Sequence, residues 1–198
     1  MVTSRERQRL ETAATVLAAA DTLFLTRGFT QTKIREVAEA CGVSVGTVMA
    51  VGDKDALLVA VLDDRIRQIH TQRSESQTLN DALDHIESIS RQLEPFVTLF
   101  TSHPTLARAY ASILVGGKHN SVVFKELAAL LIQEIAAILI ASGRTTEQRA
   151  TAIAEAVYFA YIGRLFTWPT DADDDADRLR HELRRIIAII STDEGFPS

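Results

Sequence analysis

The sequence is poor in cysteine and contains no long apolar run. Its 198 residues include one cysteine, Cys41, so no disulfide forms within the chain and no zinc cage of several cysteines is available. Low cysteine content is typical of reducing compartments, and we therefore expect a cytoplasmic protein. The most apolar segment, residues 127–141, is interrupted by Gln133 and Glu134 and is shorter than the roughly 20 residues that cross a bilayer. The sequence predicts no membrane span.

An excess of positive charge is also lacking. The chain has 21 Lys and Arg against 26 Asp and Glu, a formal net charge of −5, which excludes a polycation that coats nucleic acid along its whole length. The charge is uneven, because residues 1–50 carry six basic and five acidic side chains. A DNA-binding surface must therefore be local and N-terminal.

Apolar residues recur every three or four positions along most of the chain, which predicts an all-α protein. We expect about nine helices, because the periodic segments are separated by breakers such as Gly28, Gly42 and the pair Gly116-Gly117. Pro95 lies inside one segment and predicts a kink there. Segment 122–140 is apolar on most faces, which predicts a central position in the fold.

Residues 34–51 have the spacing of a helix-turn-helix motif. A short helix is predicted from about Lys33, with Thr32 as its N-cap. Gly42 permits the left-handed conformation of a tight turn, and Ser44 is predicted to cap the second helix. The outer face of that second helix would enter a DNA major groove. The alternative is an ordinary pair of helices in an all-α protein.

Two domains are predicted around this motif. We expect a three-helix, helix-turn-helix domain over residues 1–52 and a larger helical domain over residues 53–198. A helix over 53–74 links the two. The polar segment near 72–80 predicts the joint between the smaller and the larger unit.

The N-terminal part of the chain resembles the DNA-binding domain of TetR-type transcriptional regulators. The resemblance covers about residues 10–62 and is carried by Ala19-Ala20, Leu23-Phe24, Gly28-Phe29, Thr32, Val37-Ala38, Ala40, Gly42-Val43-Ser44, Gly46-Thr47, Lys54 and Leu57-Leu58. Beyond these residues the similarity is one of architecture, an all-helical domain for ligand binding and dimerisation. The resemblance implies a homodimer that binds a palindromic operator in double-stranded DNA, usually as a repressor, and that a small-molecule effector releases.

The candidate DNA-contacting residues lie in and beside the motif. They are Thr32, Lys33, Arg35, Ser44, Val45, Gly46, Thr47, Met49 and Lys54. Val45 and Met49 offer apolar contact to a thymine methyl, whereas the hydroxyl and basic groups suit phosphates or base edges. Arg5, Arg7 and Arg9 form either an N-terminal arm on the DNA backbone or a solvated helix end.

One departure from the resemblance supports an alternative function. Met49 stands where similar proteins usually have an aromatic residue, and residues 49–52 lack the phosphate-binding groups that follow it in those proteins. The alternative is a ligand-binding or scaffolding protein that keeps the fold with weakened or lost DNA recognition.

Several aromatic and polar residues of the larger domain are candidate ligand contacts, because their helices should converge on a pocket. They are Phe96, Phe100, His103, Tyr110, Phe124 and Tyr161. The alternative for each is a plain core position. The last two helices combine small residues with wide apolar faces, and the resemblance implies a four-helix homodimer interface there, with an intrachain core as the alternative.

The sequence predicts neither an enzyme nor a metal or cofactor site. We find no nucleophile paired with a base, no phosphate-binding glycine loop and no metal-ligand spacing around His85 or His103.

Overall fold

The structure is a computed structural model that describes residues 3–76, 84–143, 145–168 and 176–192. Within these ranges it contains nine α-helices and no strand, so the prediction of an all-α fold is confirmed. The helices are α1 (Ser4–Arg27), α2 (Ile34–Cys41), α3 (Val45–Val51), α4 (Lys54–Ser76), α5 (His85–Ser102), α6 (Pro104–Val115), α7 (Val122–Ala141), α8 (Glu147–Phe166) and α9 (Ala176–Thr192). None of these helices is long and apolar enough to traverse a lipid bilayer.

The chain divides into two compact units. The first consists of Met1–Ile66 and Thr105–Ser121, and the second of Arg67–Pro104 and Val122–Ser198. The first unit therefore contains the beginning of α4 and all of α6 except its first residue, as well as α1–α3.

In the first unit, α1 packs against α2 and α3, and α2 packs against α3. The interior is formed by fully buried aliphatic and aromatic side chains from α1–α4: Val16, Ala20, Phe24, Val37, Ala38, Val48, Leu57 and Leu58. An ion pair of 2.6 Å between Arg65 and Asp21 joins α4 to α1. Burial of these apolar faces, rather than helix propensity alone, stabilises such short helices as α2 and α3.

In the second unit, α7 packs against α8 and α5, and α9 packs against α8 and α5. Along α5, the buried residues Ile89, Leu93, Phe96 and Phe100 recur at helical spacing, as the sequence predicts. The helix continues past Pro95 and ends before Pro104, where a proline disfavours helical geometry in the residue before it.

The prediction that α7 lies centrally is wrong. One face of α7 is buried, through Leu131, Ile135 and Leu139, because that face packs on α8 and α5. Leu130 and Ile140 on the same helix are exposed. A helix that is apolar on most faces is thus buried on one face here.

Candidate nucleic-acid interface

The turn between α2 and α3 depends on the backbone of Gly42. This residue has φ 67° and ψ 27°, the left-handed conformation that a residue without a Cβ adopts at little cost. The next residue, Val43, donates its backbone N–H to the carbonyl of Ala38 at 3.0 Å, which closes the end of α2. The predicted role of Gly42 is confirmed.

Ser44 caps α3 as predicted. Its Oγ accepts a hydrogen bond from the backbone N–H of Thr47 at 3.0 Å, and the two hydroxyl groups lie 2.9 Å apart. Val48, one residue further along α3, is fully buried. The cap at Ser44 and the burial of Val48 together determine which side of this seven-residue helix faces solvent.

The prediction that Thr32 caps α2 is wrong, because Lys33 occupies the N-cap position. Only 1% of Thr32 is exposed, and its hydroxyl donates to the carbonyl of Gly28 at 2.9 Å and of Leu23 at 3.3 Å. The Leu23 carbonyl lies in α1 and the Gly28 carbonyl directly follows it, so the Thr32 hydroxyl binds to the end of α1 and not to the start of α2. At the start of α2, Glu36 instead accepts the backbone N–H of Lys33 at 2.8 Å.

The ammonium group of Lys54 is also bound within the chain. Its Nζ donates to the carbonyls of Phe29 at 2.9 Å, Thr32 at 3.1 Å and Thr30 at 3.3 Å. It also lies 4.4 Å from the centre of the Phe29 ring. A lysine ammonium has three hydrogens to donate, so Lys54 uses its donors to hold the turn before α2. The polar groups of Thr32 and Lys54, two of the predicted DNA contacts, thus both bind backbone carbonyls within the chain.

The other predicted DNA contacts lie at the surface or partly exposed. Lys33 and Arg35 are exposed, and Arg35 forms a surface ion pair of 3.0 Å with Glu39. The outward face of α3 consists of four apolar residues, Val45, Gly46, Met49 and Ala50. Of these, Val45 is 46% exposed and Met49 is 49% exposed.

The first unit contains an ion-pair cluster that the sequence did not predict. Asp53 caps α4 by accepting the backbone N–H of Ala56 at 2.9 Å, and this bond, more than the nearby His119 and Lys118, holds its pKa below the usual range. Lys118 Nζ lies 3.4 Å from Asp53 and 3.0 Å from Asp55. Asp53, Asp55 and His119 offer atoms within 4.8 Å of one another, a set that metals use, but here Lys118 forms ion pairs with both carboxylates. Asp53 and Asp55 are more than sixty residues before Lys118 and His119, so no local sequence spacing predicts these contacts.

The six predicted ligand contacts are divided between the two units. Tyr110 belongs to the first unit, where its hydroxyl binds Asp63, and His103 is exposed after α5. In the second unit, Phe100 and Phe124 both approach the ring of Phe166, with centroid distances of 6.1 Å and 6.0 Å.

A buried group of polar side chains lies beside Phe96, and the sequence did not predict it. The guanidinium of Arg73 lies 5.3 Å from the Phe96 ring, and its Nη2 donates to Glu134 at 2.6 Å. The ring of His70 lies 4.9 Å from that of Phe96, and burial lowers the pKa of His70. Among the residues that the structure describes, the Nη1 atom of Arg73 is buried without a hydrogen-bond partner. Burial raises the pKa of the Tyr161 phenol, and the positive charge of Arg73 partly opposes this shift.

An open groove of about 400 Å³ lies elsewhere in the second unit, between α5 and α9. Its walls include Arg91, Glu94, Arg180 and Arg184, and Arg180 pairs with Glu94 at 2.8 Å. None of the six predicted ligand contacts lines it.

The helix-turn-helix geometry agrees with a known family. Residues 16–61, which span α2, α3 and parts of α1 and α4, match the family described as bacterial regulatory proteins, tetR family. The chain carries a tetR-family domain. Members of this family are described as bacterial regulatory proteins, the class of protein that the sequence predicts.

Solved structures share the tetR-family fold over nearly the whole chain. A TetR transcriptional regulator from Rhodococcus sp. RHA1 is 18% identical, with a TM-score of 0.64 over 97% of this chain and 100% of that one. Thermus thermophilus FadR, a TetR family transcriptional repressor in complex with lauroyl-CoA, is 19% identical, with a TM-score of 0.56 over 94% of this chain and 98% of that one. No curated protein sequence matches the chain. At these identities the likeness establishes the fold.

Proposed function

We propose that this protein is a ligand-responsive transcriptional repressor, which binds a palindromic operator in double-stranded DNA as a homodimer. One observation carries the proposal. The left-handed turn at Gly42 and the cap at Ser44 present the outer face of α3 to solvent within a tetR-family domain. A helix displayed in this way fits a major groove.

The proposed DNA-contacting set is smaller than the one predicted from sequence. It comprises Lys33, Arg35, Ser44, Val45, Gly46, Thr47 and Met49. Thr32 and Lys54 act as positioning residues, because their polar groups are bound to backbone carbonyls between α1 and α2. Arg5, Arg7 and Arg9 are exposed on the first turns of α1 and add phosphate contacts.

The proposed homodimer forms through α8 and α9. Phe159 on α8 is 67% exposed and Ile189 on α9 is 61% exposed, although α8 and α9 pack against each other. Ala156 and Gly163, also exposed on α8, allow close approach of a second helix. Two copies of this helix pair would bury both apolar side chains in a four-helix interface.

The proposed effector site is the polar group around Arg73 in the second unit. Arg73 Nη1 is a buried donor with no partner in the described part of the chain, and Phe96 and Tyr161 are buried near the same guanidinium. Because Glu134 already balances the charge of Arg73, a neutral carbonyl or hydroxyl oxygen fits this donor better than a second anion. The lauroyl-CoA bound to FadR supports the idea that a protein of this fold holds a small molecule.

Selection from a random duplex library at low salt tests the DNA-binding function. We expect the purified protein to enrich sequences with two inverted half-sites. The double variant R35A/T47A should bind the enriched duplex at least about tenfold more weakly, since it loses one phosphate contact and one hydroxyl at the start of α3. The control R91A/T151A alters an exposed arginine and an exposed threonine of the second unit and should bind like the wild type.

A second candidate is a ligand-binding protein that has lost DNA recognition. It is favoured by the apolar outer face of α3 and by the internal role of Lys54, which leave few groups for bases and phosphates. Failure to enrich any duplex, together with a small molecule that co-purifies with the protein, would support this candidate and contradict the repressor.

A further inference from the structure

Helix α3, the proposed DNA-reading helix, offers almost no hydrogen-bonding groups to DNA. Its seven residues, Val45–Val51, include one polar side chain, Thr47, and no charged or amide side chain. The Thr47 hydroxyl lies 2.9 Å from that of Ser44, which itself accepts the backbone N–H of Thr47. Guanine, cytosine and adenine are normally distinguished by bidentate or charged side chains, and α3 has none of these.

Two larger apolar side chains dominate the exposed face instead. Val45 and Met49 are four residues apart and therefore lie on the same side of α3, each about half exposed. Their neighbours Gly46 and Ala50 form a second row that carries little or no side chain. The outer surface of the helix is thus a low apolar strip with two projecting groups.

Gly46 is not required by the fold. A Cβ placed on it would meet only Ser44 Oγ, at 3.6 Å, which is an ordinary contact, and its φ lies outside the left-handed region. A glycine within a helix costs roughly 1 kcal/mol relative to alanine, so one that the fold does not need points to a close approach of another molecule.

We propose that Val45 and Met49 read thymine, by packing against the C5 methyl groups that thymine presents in the major groove. This inference rests on the proposed DNA-binding function. Thymine is the one base with an apolar group on its major-groove edge, so it matches an apolar strip as no other base does. Because Gly46 and Ala50 have little or no side chain, the backbone of α3 can approach the bases closely enough for Val45 and Met49 to contact the methyl groups.

Removal of single methyl groups tests the inference. A duplex enriched from the random library is resynthesised with deoxyuridine in place of each half-site thymine in turn, and affinity is measured at constant salt. At contacted positions we expect about a fourfold loss per methyl, the factor for one buried apolar carbon. Deoxyuridine outside the half-sites provides the DNA control.

Variants then assign the contacts to residues. V45S and M49Q should weaken binding to the thymine duplex but lose most of this effect on the deoxyuridine duplex, because the methyl group is already missing. V115S makes the same change at an exposed apolar residue at the end of α6 and should leave both affinities unchanged.

The two possible failures are distinguishable. If the wild type enriches no duplex, the proposed function itself fails. If it enriches a duplex whose affinity is unchanged by every deoxyuridine substitution, or if V45S and M49Q weaken the two duplexes equally, DNA binding stands and the reading of thymine methyls is wrong.

Discussion

The hydroxyl of Tyr110 lies 2.8 Å from Oδ1 of Asp63 and donates a hydrogen bond to it in the interior of the first unit. Ser121 donates to the same oxygen at 2.7 Å. A buried carboxyl group on α4 is thereby held by one residue of α6 and one that precedes α7, which explains why α6 belongs to the same unit as the helix-turn-helix motif.

Tyr110→Phe should lower the free energy of unfolding by about 1–2 kcal/mol, because it removes one buried hydrogen bond to a carboxyl group. Urea denaturation measures this. The control is Tyr158→Phe, because Tyr158 is also buried but forms no hydrogen bond within the described residues. Equal losses in the two variants would mean that the bond to Asp63 does not stabilise the unit.

Gly46→Ala should stabilise the protein and weaken DNA binding. The added methyl raises helix propensity by roughly 1 kcal/mol and meets no clash. It also raises the surface of α3 where we propose that DNA approaches. Thermal unfolding and affinity for the selected duplex measure the two effects.

Gly42→Ala serves as the comparison, since the left-handed φ of 67° at Gly42 strains any residue with a Cβ and costs about 1–2 kcal/mol. If Gly46→Ala binds DNA as tightly as the wild type, α3 does not approach its partner closely.

His70 should make stability depend on pH near neutrality. Burial, helped by the charge of Arg73 and opposed by Glu134, lowers the pKa of His70 from its usual value of 6.5. The unfolded chain therefore binds this proton more readily than the folded one. Stability is full above the unfolded pKa and declines as pH falls below it.

Unfolding in urea at about pH 7.5 and about pH 5.5 measures this loss, which should be smaller in His70→Gln than in the wild type. The remaining histidines are present in both proteins, so the difference isolates His70. Identical losses in the two proteins would contradict the prediction.

Phe159→Asp and Ile189→Asp should each convert the proposed dimer to a monomer, because a buried carboxylate without a partner costs several kcal/mol at an apolar interface. Sedimentation velocity measures the change. Leu130→Asp, at an exposed leucine of α7, is the matched control and should remain dimeric. Dissociation of the Leu130 variant alone would place the interface on α7.

The fold was predictable where the signals are local. The left-handed Gly42, the cap at Ser44 and the buried valines Val37 and Val48 each depend on residues a few positions apart, and each agrees with the structure. Thr32 shows the limit of such reasoning. A threonine before a helix is a common N-cap. Here, however, the Thr32 hydroxyl donates to carbonyls at the end of α1 and not to the start of α2.

The candidate sites were less predictable, because they depend on residues distant in the chain. Nothing in the sequence near Lys54 indicates that its ammonium binds carbonyls more than twenty residues earlier. Likewise, the pair of Arg73 with Glu134 spans 61 residues. Of the side chains predicted as ligand contacts, Phe96 and Tyr161 lie near this pair, whereas Tyr110 belongs to the other unit. The residue types of α3 were enough to predict an apolar outer surface. The residue types of the larger domain were not enough to predict the polar group around Arg73, where we propose the ligand site.

The lack of any ionisable side chain on α3 has a consequence for how the protein would respond to its surroundings. Salt and protons act on charges, so they would change how firmly the backbone of DNA is held through the arginines and lysine outside α3. Discrimination between operator and random duplex would stay nearly constant, since apolar shape does not titrate. Such a regulator would keep the same targets through shifts in ionic conditions and alter only its occupancy.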